Sequence, residues 1–118
     1  MNTVKSILLE LKAKDKYSYY DRIEVLINEP NLLKLRLYIR DDFFVQVYRN
    51  DDSKTTSFAL VLGKDRIFGR DEENKIWHRH HIDNPTHCDL SEKGKKSSNL
   101  KRFLKEVNKI LVELELIN

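Results

Sequence analysis

The sequence predicts an α+β fold: an antiparallel β-meander of five to six strands, with an N-terminal and a long C-terminal helix packed on one face. Three observations carry this. Apolar residues recur at every second position from Ile23 to about His80, in short runs punctuated by Asn, Asp, Gly and Pro. They recur at every third and fourth position between Leu100 and Leu114. No segment of helical period interrupts the strand-like runs, and the links between them are too short for parallel crossovers.

Val4, Ile7, Leu8 and Leu11 line one face of a helix over Thr3 to Lys14, which Asn2 or Thr3 can cap. The period then becomes two. Tyr19 to Ile27 places Ile23, Val25 and Ile27 on one side, and Asn28-Glu29-Pro30-Asn31 is a turn cluster. Leu33, Leu35, Leu37 and Ile39 alternate with Lys34, Arg36, Tyr38 and Arg40, which form a hydrophilic face. Phe43 to Arg49 and Thr55 to Leu62 follow, each after an acidic turn. Gly63-Lys64-Asp65 is a hairpin link to Arg66 through Arg70. Glu72-Glu73-Asn74-Lys75 turns again before a last strand, Ile76 to His80, where Ile76 and Trp77 read as core, or a lid over it, rather than a base-stacking platform. Ile82 to Lys96 is irregular. Ser97 or Ser98 caps the last helix, whose stripe of Leu100, Phe103, Leu104, Val107, Ile110, Leu111 and Leu114 must cover the apolar face of the sheet.

A chain of 118 residues is expected to form one domain, residues 1–118, and to bury about two-thirds of its unfolded surface. At 40% hydrophobic and 35% charged it belongs to the globular class. A single cysteine excludes an internal disulfide and fits a reducing cytosol. No apolar run approaches the roughly 18 residues of a membrane span, and the N-terminal stretch is amphipathic rather than a signal peptide, so a cytoplasmic protein with no membrane partner is expected. The net charge of +3 permits an anionic partner without demanding one. Lys93, Lys95, Lys96, Lys101, Arg102, Lys105 and Lys109 read either as a solvated face or as an electrostatic footprint. Edge strands of an open meander also offer a second copy of the chain a place to pair.

All four histidines, the only tryptophan and the only cysteine fall between Trp77 and Cys88. Histidine titrates near neutrality and is the commonest metal ligand. His78 and His80 are two apart, so on a strand they share a side and His81 takes the other. A metal reading would close the site with His87, Cys88 and Asp89, although no Cys-x-x-Cys or His-Glu-x-x-His spacing accompanies them. An acid–base reading fits metal-independent cleavage of a phosphodiester. His78, His80, His81 and His87 supply base and acid, and Arg66, Arg70 and Arg79 clamp phosphate. Arg66 and Arg70 alternate around Phe68 and are expected on one face. A polar loop with one or two buried imidazoles is the plainer alternative. A Cys88–His nucleophile has no glycine-rich oxyanion segment beside it, and Asp41-Asp42, Asp51-Asp52 and Glu72-Glu73 read as turn residues.

From about Thr55 onward the chain resembles the TumE-like toxins of prokaryotic toxin–antitoxin pairs. The residues that carry the likeness are Phe68-Gly69-Arg70-Asp71, then His78-Arg79-His80-His81 with His87, then the closing helix. Glu72 stands where the family often has Asn. The resemblance implies a functional patch of Arg70, Asp71, His78, His80, His81 and His87, and a small helix-turn-helix antitoxin as partner. Two functions follow as expectations. One is a toxin-like, RNA-directed protein, a metal-independent endoribonuclease without cofactor, in which Asp71 orients an imidazole. The other is a non-enzymatic module that binds nucleic acid or an acidic protein through its basic helix, or a metal through its His/Cys segment.

Overall fold

The computed structural model describes residues 2–13, 17 and 19–114. Helix α1 (Val4–Leu11) precedes six strands, β1 (Arg22–Glu29), β2 (Leu32–Arg40), β3 (Phe43–Asn50), β4 (Thr55–Leu62), β5 (Asp65–Glu73) and β6 (Ile76–His80). Helix α2 (Leu100–Glu113) closes the described chain. The strands form one antiparallel sheet in sequence order, β1 to β6, and both helices lie on one face of it. This is the α+β meander that the alternating pattern and the terminal helical stripe require.

The helix-covered face is the core. Leu33, Leu35, Leu37, Val45, Val47, Phe58, Leu60 and Phe68 of the sheet meet Val4, Ile7, Leu100, Phe103, Val107 and Leu111 of the helices. Phe103 is central, with ring centroids 5.5 Å from both Phe58 and Phe68. Three aromatic rings in offset contact bury a large apolar area and add directional ring–ring attraction. Trp77 packs on Phe58 at 6.4 Å and is buried, whereas Ile76 is 61% exposed and does not belong to the core.

The caps are local. Thr3 and Ser6 make a reciprocal capping box, with Oγ1 of Thr3 accepting from the Ser6 N–H at 3.0 Å and Oγ of Ser6 from the Thr3 N–H at 2.8 Å. Asn99, not Ser97 or Ser98, caps α2 by accepting from the Arg102 N–H at 2.8 Å. The Ser98 carbonyl is taken by the side-chain amide of Asn2. The first helix ends at Leu11, with Lys12 as its C-cap; Lys14, its expected last residue, lies outside the described residues.

Three β-bulges shift the strand alternation. In β1 the register slips between Val25 and Ile27, so Ile23 and Val25 stand opposite Leu37 and Leu35 on the helix side while Ile27 pairs with Lys34 on the other. The expected common side for all three is therefore overturned. The strand also runs on through Glu29, leaving Pro30 and Asn31 as the turn. Beyond a slip at Ile39, Arg40 registers with Phe43 and its guanidinium stands 5.4 Å from that ring, away from Lys34, Arg36 and Tyr38. The third slip, at Ile67, matters most for function. The turn before β6 is also tighter than expected: Asn74 and Lys75 alone turn, both at positive φ (51° and 68°), a backbone that two-residue hairpins favour. Glu72 and Glu73 are strand residues, and Glu72 is buried against Arg49 and Thr56.

Candidate functional site

Residues paired in register across an antiparallel sheet point to the same side. On the face free of helices this builds two adjacent rows. Lys34, Tyr48, Ser57, Asp71 and His78 stand side by side across β2 to β6. Arg36, Gln46, Ala59, Gly69 and His80 form the next row. The chemistry collects where both rows reach β5 and β6.

Asp71 is the hub. Its Oδ1 accepts from the Ser57 hydroxyl and from Nη2 of Arg66, each at 2.7 Å. Its Oδ2 lies 3.2 Å from Nε2 of His78 and 3.5 Å from Nε2 of His80. The two imidazoles stand edge to face with centroids 5.1 Å apart. Burial alone would push the Asp71 carboxyl up, but the hydrogen bonds and charge of Arg66, with the Ser57 hydroxyl, outweigh it and hold the carboxyl below its ordinary value. Asp71 is thus a fixed carboxylate.

His80 has a defined tautomer. Its Nδ1 is 2.9 Å from the carbonyl oxygen of Pro85, and a carbonyl only accepts, so Nδ1 carries the proton and Nε2 presents a lone pair. Burial, then the Arg66 charge, lowers the His80 pKa against the opposing effects of the Pro85 bond and Asp71. The result favours neutral imidazole. Cys88 is exposed, with Sγ 4.0 Å from Nε2 of His80.

Arg66 reaches this cluster because of the slip at Ile67. Leu60 pairs with Phe68 but Val61 pairs with Arg66, so one extra residue turns Arg66 to the open face while Phe68 and Arg70 stay on the core side. The expected common face for Arg66 and Arg70 is therefore corrected. The guanidinium of Arg66 lies over Gly69, where any Cβ would collide with its Nε, Cζ and Nη2. Nε of Arg66 is buried and has no hydrogen-bond partner among the described residues.

The other expected site residues lie elsewhere. Arg70 is buried under α2, its fork filled by Glu106 (Nε to Oε1 2.6 Å, Nη2 to Oε2 2.9 Å) and by the Lys93 carbonyl at 3.1 Å. Arg79 sits on that same side, with Nε 2.9 Å from Oδ2 of Asp89. Both forks are occupied on the wrong side of the sheet for a phosphate held at His78 and His80, which corrects their assignment as clamps. His81 lines a cleft of about 350 Å³ with Phe68, Arg79 and Glu106, and its Nδ1 accepts from the Asp83 N–H at 3.2 Å. His87 is exposed on the loop. Neither joins the cluster.

The loop after β6 is nevertheless fastened to the site. Arg79 and Asp89 exchange backbone hydrogen bonds (3.1 and 2.7 Å) as an isolated bridge, which sets Cys88 beside His80. The hydroxyl and N–H of Ser91, with Arg79, hold the Asp89 carboxyl well below the usual range. Gly94 packs onto the Asp89 backbone so closely that a Cβ would overlap its carbonyl.

Nothing in the sequence pattern marks Ser57, the second donor to Asp71, or pairs Glu106 and Asp89 with Arg70 and Arg79. Ser57 was detectable only with the bulge in hand. The basic residues Lys93, Lys95, Lys96, Lys101, Arg102, Lys105 and Lys109 are all exposed on the helix side or its loop, opposite His78 and His80. A cleft of about 730 Å³ on that side is lined by Lys75, Lys95 and Arg102 together with Glu10 and Glu72. Among the described residues no helix is long and apolar enough to cross a membrane. Comparison with protein-family models, with curated proteins and with solved structures finds no match to this chain.

Proposed function

We propose that this chain is the toxin-like, RNA-directed member of a cytoplasmic toxin–antitoxin pair, and that it cleaves RNA without a metal ion at His78 and His80. The resemblance to TumE-like toxins motivates the biological role and the helix-turn-helix partner. One observation carries the chemistry: two imidazoles 5.1 Å apart flank one half-buried carboxylate whose other oxygen is held by an arginine.

Cleavage requires a base for the ribose 2′-OH, an acid for the leaving oxygen and a cation for the phosphorane. Neutral His80 accepts the 2′ proton on Nε2, and Asp71 Oδ2, at 3.5 Å, stabilises the imidazolium that results. The 2′ oxygen attacks phosphorus, the bond to the 5′ oxygen breaks, and His78 delivers the proton which that oxygen takes up. The products are a 2′,3′-cyclic phosphate and a 5′-hydroxyl. Arg66 faces the same space and is the cation for the phosphorane. Lys34 and Arg36, with half-buried Tyr48 beside Lys34 in register, extend the same face as a track for the strand.

The test is cleavage of RNA by the purified chain in excess EDTA, beside the His78→Ala/His80→Ala variant. The parent is expected to leave cyclic-phosphate ends, and the variant to be slower by about 10²–10⁴-fold. Equal rates in both would defeat the assignment. The binding alternative uses the other side of the molecule: charge reversal at Lys101, Lys105 and Lys109 would abolish function while the histidine changes would not.

A further inference from the structure

We propose that His78, His80 and Cys88 form a binding site for a divalent transition metal of the zinc class, and that the bound metal silences the acid–base chemistry by occupying its imidazoles. The silencing rests on the function proposed above; the metal site does not.

The ligand set is assembled from two elements, β6 and the loop after it. One ring nitrogen of each histidine and the Cys88 sulfur all lie within 4.8 Å of one another. Zinc bonds of about 2.0–2.1 Å to nitrogen and 2.3 Å to sulfur set tetrahedral ligands about 3.5 Å apart. Small displacements, open to the exposed Cys88 side chain, bring the three donors towards that spacing and leave the fourth position to solvent.

Orientation supports this more strongly than proximity does. The Pro85 carbonyl holds the proton of His80 on Nδ1, the backbone-carbonyl support typical of metal-bound histidine. Nε2 thus aims a lone pair at the Cys88 sulfur 4.0 Å away and at Asp71 Oδ2 3.5 Å away. The His80 nitrogen and the Cys88 sulfur are both electron donors, and a cation joins what otherwise repels. Arg66 and Ser57 occupy Oδ1 of Asp71, leaving Oδ2 to orient His78, 3.2 Å from its Nε2. Imidazole and thiolate select zinc, cobalt or copper over magnesium and calcium. Binding converts the Cys88 thiol to a metal-bound thiolate and releases one proton to solvent.

The probe is cobalt(II), then zinc, titrated into the full chain. One equivalent should bind with the visible bands of a tetrahedral site and a thiolate-to-cobalt charge-transfer band. Cys88→Ser, at an exposed position, should lose that band and bind at least tenfold more weakly; His87→Ala, outside the trio, should match the parent. Absence of stoichiometric binding, or unchanged affinity in Cys88→Ser, overturns the site. In the RNA assay, one equivalent of zinc should lower cleavage by the parent at least tenfold, with Cys88→Ser needing at least tenfold more zinc for the same fractional loss. Cleavage that requires zinc overturns the silencing and the metal-independent mechanism together. Stoichiometric binding with no cleavage under any condition upholds the site and overturns the silencing along with the proposed function.

Discussion

Arg66 lies across Gly69, its guanidinium filling the space that a side chain at residue 69 would take, so the glycine and the arginine are one structural unit. Gly69 pairs with His80, and the absent side chain gives Arg66 its route to Asp71. Gly69→Ala should push the flexible Arg66 guanidinium off Asp71 and destabilise the fold by about 1 kcal/mol, the usual net worth of a lost hydrogen bond. In urea denaturation, Gly69→Ala combined with Arg66→Ala should cost less than the sum of the two. Strict additivity would show that the two positions do not interact.

His80 should titrate below an ordinary imidazole in the metal-free chain. Burial and the Arg66 charge lower its pKa, and the Pro85 bond and Asp71 act the other way. Histidine NMR titration should therefore show the value rising in Arg66→Ala and falling further in Asp71→Asn. Because the folded value is depressed, the contribution to stability is full above about pH 6.5 and is lost as pH falls through the unfolded and then the folded value. Movement in the reversed directions would mean that Arg66 and Asp71 do not act on this ring.

Tyr19 anchors the segment before β1 to α2, its buried hydroxyl donating to the Leu104 carbonyl at 2.8 Å. Burial, with lesser contributions from Tyr20 and Tyr17, raises its pKa far above the ordinary phenol value. A raised folded pKa contributes stability below the unfolded value of about 10 that is lost as pH rises past it. Denaturation curves should show the parent weakening above pH 10 more steeply than Tyr19→Phe. The variant should also lose about 1 kcal/mol at neutral pH through the missing hydrogen bond.

Glu106 and Arg70 dock α2 onto β5 through a two-pronged ion pair beneath the helix. Glu106→Ala leaves the buried guanidinium uncompensated and should cost about 3 kcal/mol. Replacing both, as Arg70→Met with Glu106→Leu, should recover much of that loss in the same urea experiment. A double variant as unstable as Glu106→Ala would assign the loss to packing instead.

Much of the site was readable before any fold was known. The two-residue spacing of His78 and His80 on a β6 strand puts them on one side, with His81 on the other, and the structure has them so. The tight Asn74–Lys75 turn then sets Asp71 opposite His78. What misled was the bulge at Ile67. A regular ladder running back from the Leu62–Asp65 pair would set Ser57 against Arg70; the extra residue moves it to Asp71 and turns Arg66 to the same face. Unbroken alternation likewise placed Arg40 with Arg36 and Ile27 with Val25, and bulges at Ile39 and Leu26 separated them.

By itself, then, the sequence determined the order and kind of the elements, the face that α2 buries (except at Leu114, which caps the helix and is exposed) and the strand bearing the histidines, since all of these follow from periodicities that a chain carries locally. Which charges meet was decided only by tertiary structure. Arg70 and Arg79 look like phosphate clamps as letters, yet Glu106 from α2 and Asp89 from the loop reach them first. Arg66 looks equivalent to them and is set apart by one unpaired residue and a missing Cβ. Ion-pair partners are chosen by distances of a few ångströms in three dimensions, where Coulomb attraction and desolvation act, and a single slip in register changes every such distance at once.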